Sequence, residues 1–372
     1  MGLLDYYRQF EGMTGEEVSA ELRARAAERR RRALARIEPL DLSVSTWHEF
    51  PHPDVVAAMT YAARRGINRA SDPDATELRR DLGHRHGLEA DRVGVGNGAA
   101  QLLSTAATAL LQPGDELLTP WPSYPLYPLI ARAAGAHAVP VAGGHDPDVL
   151  LAAVTPRTRV VTLCNPNDPT GAYMDTGALR GLLERLPERV TVLLDEALGD
   201  FVDAEPPGAV LSLLDEFPRL LVFRTFSKAY GLAGMRCGYV LGGPGSEWLI
   251  DRVGPPLGLS VIVQTGALEA LRKCGPQVAA RRAQVVAERR RALEALADLP
   301  LHAGPSQANF LWIAAPGMSG PELSARLSRS RVIVKPGTEL GEHDHVRAAI
   351  QSSGATNRLL QALRRAVGVD GR

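Results

Sequence analysis

The chain has 372 residues, 45% hydrophobic and 23% charged, and its 42 basic side chains balance 42 acidic ones. That length suits two domains of ordinary size, and a zero net charge excludes nucleic acid held by whole-chain attraction. The cysteines, Cys164, Cys237 and Cys274, match neither a disulfide framework nor a zinc pattern, and no apolar run has the length of a membrane span. The opening "MGLLDYYRQF" carries acids and aromatics where a signal peptide needs basic then apolar residues. Tyr6 stands where a myristoylation signal wants Ser or Thr. A cytoplasmic protein is expected, with neither nucleic acid nor membrane as a partner.

Residues 14–38 read as one helix. Thr14 and Glu17 have capping-box spacing, and Val18, Leu22, Ala26, Ala33 and Ile37 fall near one face. Its arginine-rich stretch "ERRRRALAR" has no aromatic interleaving and reads as a solvated face. From about residue 75 helical and strand-like segments alternate. "ATELRRDLGHRHG" and "AAQLLSTAATALL" are helical; "DRVGVGNG", "DELLTP", "AHAVPV", "RTRVVTLCNP", "RVTVLLDEA", "RLLVFRTF" and "RCGYVLGG" are strand-like. Alternation of this kind predicts a mainly parallel sheet covered on both faces. After "GPPLGLS" comes a long helical stretch, then "PLHAGPSQANFLWIAAP", "VIVKPG", "DHVRAAIQ" and a last helix "TNRLLQALRRAV", which read as a smaller α+β domain. The expected division is a helical arm over residues 1–50, a large domain over 51–270 and a small one over 271–372.

Four stretches at strand ends carry the chemistry. "GNGAAQ" opens a helix with Gly98, Ala99 and Ala100, whose amides can face an anion. "GVGNGA" also fits a degenerate dinucleotide fingerprint, but Asp115 opens the next strand where the fingerprint acid should close it. "NPNDPTG" turns sharply after the strand "VVTLC", and "LLDEAL" ends a hydrophobic strand on Asp195. Burying that carboxylate without a cationic partner costs several kcal/mol, roughly. In "VFRTFSKAYGLAGMR", Thr225, Ser227 and Arg236 offer hydroxyls and a guanidinium fork for a phosphate, beside the lone Lys228. An anion cradle, a strand-end acid and a lysine suit pyridoxal phosphate held as a Schiff base.

"NPNDPTG", "LLDEA" and "RTFSKAYGLAGMRCGY" closely resemble the class I/II (fold type I) aminotransferases, and most closely the histidinol-phosphate aminotransferase-like group. "INRASDPDATELR", "GVGNGAAQ", "PWPSYPLY", "SQANFLWI" and "HVRAAI" follow in that family's order, over about residues 40 to 366. The resemblance implies an α/β fold with a mainly parallel seven-stranded sheet, a homodimer and transamination of an amino acid or amino phosphate. It makes Lys228 the Schiff-base lysine and proton carrier, Asp195 the partner of the pyridine nitrogen, and Tyr124 the aromatic stacked on the ring. Thr225, Ser227, Arg236 and the amides at 98–100 would hold the phosphate, and Arg347 would fork onto a substrate carboxylate or phosphate.

The chain departs from the family pattern at three positions. Asp168 stands where asparagine is usual, Leu198 where a tyrosine is usual, and Ala70 where a tyrosine reaches across the dimer. The first two remove hydrogen-bond donors to the cofactor's phenolic oxygen, and a carboxylate there repels a phenolate. Asn167, by a shift of register, is the candidate replacement, and His48 in "WHEFPHP" is a candidate for touching substrate. His343 and His345 form an "HxH" without further ligands, so no metal is expected. The rival outcomes are decarboxylation, oxidation, elimination or ring closure on the same cofactor, and a non-catalytic protein that keeps the fold. Lys228 and Asp195 together speak against the last.

Overall fold

The computed structural model describes residues 12–35 and 38–369. The opening decapeptide and Ile37 lie outside the described residues. Thirteen strands are described: β1 (Leu40–Asp41), β2 (Val93–Gly96), β3 (Glu116–Trp121), β4 (His137–Ala142), β5 (Thr158–Cys164), β6 (Thr191–Asp195), β7 (Leu220–Thr225), β8 (Gly238–Gly242), β9 (His302–Ala303), β10 (Phe310–Ala314), β11 (Val332–Ile333), β12 (Lys335–Pro336) and β13 (His345–Ala349).

Seven of them form one sheet in the order β2-β8-β7-β6-β5-β3-β4. Strands β3, β4, β5, β6 and β7 run parallel, and β8 is antiparallel to both of its neighbours. Successive side chains of a strand point to opposite faces, and here both faces are covered. Leu117, Val160, Leu193, Leu221 and Phe223 pack into one apolar cluster with the helices Ala99–Leu110, Leu126–Ala133 and Glu247–Val253. Their strand neighbours Leu118, Val161, Val192, Leu194 and Val222 pack into the opposite cluster, which includes the helix Thr176–Arg185. This two-sided burial explains why the strands read as unbroken hydrophobic runs. Each such side chain contributes roughly 1.5–3 kcal/mol on leaving water, so the sheet is the rigid platform of the molecule.

The C-terminal part carries a second, antiparallel sheet, β12-β13-β10-β9, and the helices Gly320–Ser328 and Ser353–Ala366. The expected α/β architecture with a smaller α+β unit is therefore present. The short β1 pairs in parallel with β11, Leu40 opposite Val332, and the amide of Ala349 donates to the Leu42 carbonyl at 2.9 Å. The segment after the first helix is thus stitched to the C-terminal unit. That first helix, Gly15–Ala35, starts at the expected capping box: the Glu17 amide donates to Thr14 Oγ1 and the Thr14 amide to Glu17 Oε2. Its described side chains are exposed or half-buried, Leu22 and Ala26 among the exposed ones and Val18 half-buried, so the described part of the apolar face read from the sequence is at most partly covered.

Candidate active site

Strands β5, β6 and β7 end side by side, on Cys164, Asp195 and Thr225. Ligands of open α/β sheets bind outside the carboxyl ends of strands, and a cavity opens there. Thr46, Ala99, Ala100, Tyr124, Asp168 and Asp195 line it, together with Leu198, Thr225, Ser227, Lys228 and Arg236. Most of the candidates read from the sequence are thereby brought together.

Asp195 forms the acidic floor. Tyr127 Oη donates to its Oδ2 at 2.9 Å and the Ala197 amide to its Oδ1 at 3.0 Å. No cationic group among the described residues lies within ion-pair distance. Burial pushes this carboxyl above the usual aspartate range; the Ala197 amide, the Tyr127 hydroxyl and Lys228 pull it back, and Asp168 pushes it further up. Lys228 Nζ donates to Ser45 Oγ at 2.5 Å. Burial lowers its pKa, with Arg347 in the same direction and Asp168 and Asp195 opposing.

Basic and hydroxylic groups gather at the other end. The Ser227 amide donates to Thr225 Oγ1 at 3.0 Å, and Thr225 Oγ1 donates to Ser227 Oγ at 3.0 Å. Arg236 adopts a left-handed backbone (φ 54°) and bonds Ser227 Oγ and the Ala233 carbonyl, with no acidic partner among the described residues. Gly98 precedes the helix Ala99–Leu110 with φ 87° and no side-chain cap. A Cβ at Gly98 would stand 2.8 Å from Arg236 Nη2, so only glycine allows the guanidinium to lie against this helix end.

The third wall comes from the loop 165–171. The Asn165 side chain donates to the Met174 carbonyl at 2.7 Å and accepts from the Met174 amide at 2.8 Å. Gly171 has φ 75°, and a Cβ there would meet Ser306 Oγ at 2.2 Å. Asn167 is spent inside the loop: it accepts from Ser123 Oγ and donates to the Pro122 carbonyl and Thr170 Oγ1. It does not line the cavity, which leaves no amide to stand in for the residue at 168. Asp168 does line it, and its Oδ1 accepts from Arg347 Nη1 at 2.5 Å. Arg347 also donates to the Ser43 carbonyl at 2.9 Å and lies over the Phe310 ring. It reaches the cavity through Asp168 rather than by lining it. His48 is exposed beside the Trp47 ring and is not among the lining residues. Leu198 is buried in the wall and Ala70 is exposed. No group able to hold a metal occurs among the described residues.

Sequence reasoning missed Tyr127, Ser45 and Thr46. Tyr127 follows Tyr124 by three residues, and the turn from Tyr124 into the helix Leu126–Ala133 brings its ring edge-on to Tyr124 and its hydroxyl to Asp195. Ser45 and Thr46 belong to "DLSVSTW", whose hydroxyls carried a usable signal.

Residues 37–365 match the family described as "Aminotransferase class I and II". The aromatic amino acid aminotransferase of Corynebacterium efficiens is 36% identical over 317 residues, 84% of this chain and 89% of that protein. Histidinol-phosphate aminotransferase from Sinorhizobium meliloti, solved in complex with pyridoxal 5'-phosphate, superposes with a TM-score of 0.78 at 27% identity, over 92% of this chain and 94% of that one. A double mutant of Thermus thermophilus aspartate aminotransferase superposes with a TM-score of 0.79 at 25% identity, over 96% and 98%.

Proposed function

The chain belongs to the class I and II aminotransferase family, and on that premise we propose that it is a pyridoxal-phosphate-dependent aminotransferase acting on an amino acid or amino phosphate. The observation that carries this reading is Asp195, a buried carboxylate left without a cation in the same cavity as Lys228. Such a carboxylate is costly in an empty pocket and suits a ligand that brings a cationic nitrogen. The uncapped helix at Gly98, the unpaired Arg236 and the hydroxyls of Thr225 and Ser227 fit a phosphate equally well.

When bound, the cofactor supplies a ring that accepts the electron pair released at the substrate's α-carbon. Asp195 would hold the ring nitrogen's proton, and Tyr127 fixes the carboxylate for that task. Burial favours the neutral amine of Lys228, so Nζ can attach the cofactor and later take and return the α-proton. Leu198, buried, gives the cavity an apolar wall, and Tyr124 offers it an aromatic ring. Arg347, above Phe310 and held at Nη1 by Asp168, is the guanidinium that would meet a substrate anion.

The relatives' names divide the substrate between aromatic amino acids and histidinol phosphate; the histidinol-phosphate-like motifs favour an amino phosphate, the sequence identities an amino acid. A second reading, another reaction at the same carbon, is favoured by Leu198 and Asp168, which leave this wall without a neutral donor. A homodimer is supported by Phe50, Tyr61, Ile67 and Leu257, 93%, 64%, 75% and 88% exposed. The purified protein should show a visible absorption band that borohydride bleaches, with the reduced adduct on Lys228 by mass spectrometry. It should then transfer nitrogen from amino donors to an oxo acid. Carbon dioxide or peroxide without transfer would favour the second reading, and no adduct on Lys228 would end both.

A further inference from the structure

Arg347 is 6% exposed, and its guanidinium is only partly used. Nη1 contacts one oxygen of Asp168, Nη2 contacts the Ser43 carbonyl, and Nε is buried with no acceptor. A guanidinium fork normally takes a carboxylate with two parallel bonds, whereas Asp168 takes it with one. The orphaned Nε is the mark of a fork built for a fuller partner than the one it holds.

The partner it holds lines the cavity. Asp168 sits on a loop whose neighbours are pinned: Asn165 by Met174, Asn167 by Ser123, Pro122 and Thr170. The Asp168 backbone is therefore fixed, and only its side chain can leave Arg347. The other charged groups lining the cavity are Asp195, Lys228 and Arg236. In the aminotransferase reading, on which this inference rests, all three are committed to the cofactor. Among the described residues at this site, a ligand carboxylate then finds no cation except Arg347, and Asp168 already occupies it.

We propose that Asp168 is a built-in competitor for Arg347, a specificity-determining residue that weakens the binding of substrate carboxylates. A carboxylate reaches the fork only by displacing Asp168, which leaves a buried, unpaired anion beside the newcomer. An amine whose corresponding group is uncharged or a hydrogen-bond donor meets instead an acceptor already in place. The pair thus tilts the choice of amino donor towards amines bearing hydroxyl or other donor groups at this point, while an oxo-acid acceptor has to displace Asp168 at the same cost.

The test uses wild type, Asp168→Asn and Asp168→Ser, each brought to equal cofactor loading by absorbance. Acetate and acetamide, alike in shape and different in charge, are titrated while melting temperature and the visible band are followed. Acetate should bind at least about tenfold more tightly to both variants than to wild type, and acetamide should change little, since a freed buried fork discriminates by charge. Adding Arg347→Gln to Asp168→Asn should abolish the gain. Equal acetate affinity in wild type and variants, no binding to any of them, or a gain that survives Arg347→Gln overturns the proposal. The titrations are repeated on cofactor-free protein, and adduct formation on Lys228 is scored separately, so failure of the aminotransferase reading is distinguished from failure of the competitor role.

Discussion

Asp195 and Glu196 are consecutive residues at the end of β6, both buried, and they have opposite fates. Glu196 accepts two bonds from Arg224 of β7, at 2.8 and 3.0 Å. Asp195, one residue earlier, turns into the cavity and receives a tyrosine hydroxyl and an amide. Burial pushes both carboxyls above their usual range, and only for Glu196 does a guanidinium oppose it at contact distance. The same local sequence thus supplies one acid paired with a cation by the fold and one that the fold leaves without a cation. Structural acids are recognised by their internal partner, functional ones by its absence.

That contrast can be broken most decisively at the cavity. Lys228→Ala should leave the fold intact and reduce turnover roughly 10^3-fold or more; a steady-state assay beside circular dichroism checks it. Near-normal turnover would remove the cavity from the chemistry. Asp195→Asn should lower turnover by about 10^2–10^3-fold and yet stabilise the cofactor-free protein at neutral pH. The sign follows from burial: a carboxyl whose folded pKa is raised contributes stability below its unfolded value, and that contribution is lost as pH rises through the folded pKa. Melting curves of cofactor-free wild type should therefore fall below those of Asp195→Asn as pH climbs out of the ordinary carboxylate range. Asp200, raised by burial too, is common to both proteins, whereas the Asp195 charge helps to raise Glu196, so the substitution also relieves that neighbour and adds to the gain at neutral pH. A cofactor-free Asp195→Asn that melts lower at neutral pH would show that the acid is structural after all.

Glu196→Gln should do the reverse of Asp195→Asn. It leaves Arg224 buried without its anion, a loss of about 3–5 kcal/mol, read by urea unfolding, while turnover per folded molecule changes little. A variant as stable as wild type would erase the distinction between the two acids. Tyr127→Phe should give the smallest effect, about 1 kcal/mol for one lost hydrogen bond, as a few-fold weaker cofactor affinity by fluorescence titration. Unchanged affinity would mean that Asp195 is positioned by the Ala197 amide alone.

The sequence made the sheet legible because two-sided burial writes strands as continuous apolar runs, and β5, β6 and β7 were found in full. The reversed direction of β8 was not, since Tyr239, Val240 and Leu241 are buried in an antiparallel strand as they would be in a parallel one. Asp195 and Lys228 were legible because a lone acid or cation at or just past a strand end is locally anomalous, and Arg236 because it follows the hydroxyls of Thr225 and Ser227 as a guanidinium fork. The Asp168–Arg347 pair was not, because it joins residues 179 apart in the chain. The expectation of a bare carboxylate at 168 missed the guanidinium that tertiary packing supplies. Asn167 failed as a substitute donor for the same kind of reason: Ser123 and Pro122, which engage its amide, come from another loop.

The stitching of β1 to β11 sets where the chain can be shortened. Residues 40–42 are in ladder contact with the C-terminal unit, and Ser45, three residues further, holds Lys228 while its carbonyl accepts from Asn309. A deletion ending before Leu40 spares this tie, so a protein lacking the helix Gly15–Ala35 should keep its cavity complete. A deletion ending beyond Ser45 takes away the lysine's hydroxyl partner and the Ser43 carbonyl that steadies Arg347. The six residues 40–45 therefore hold the border between chain whose removal spares the tie and chain whose removal opens the site, and a ladder of truncations would locate it as an abrupt step.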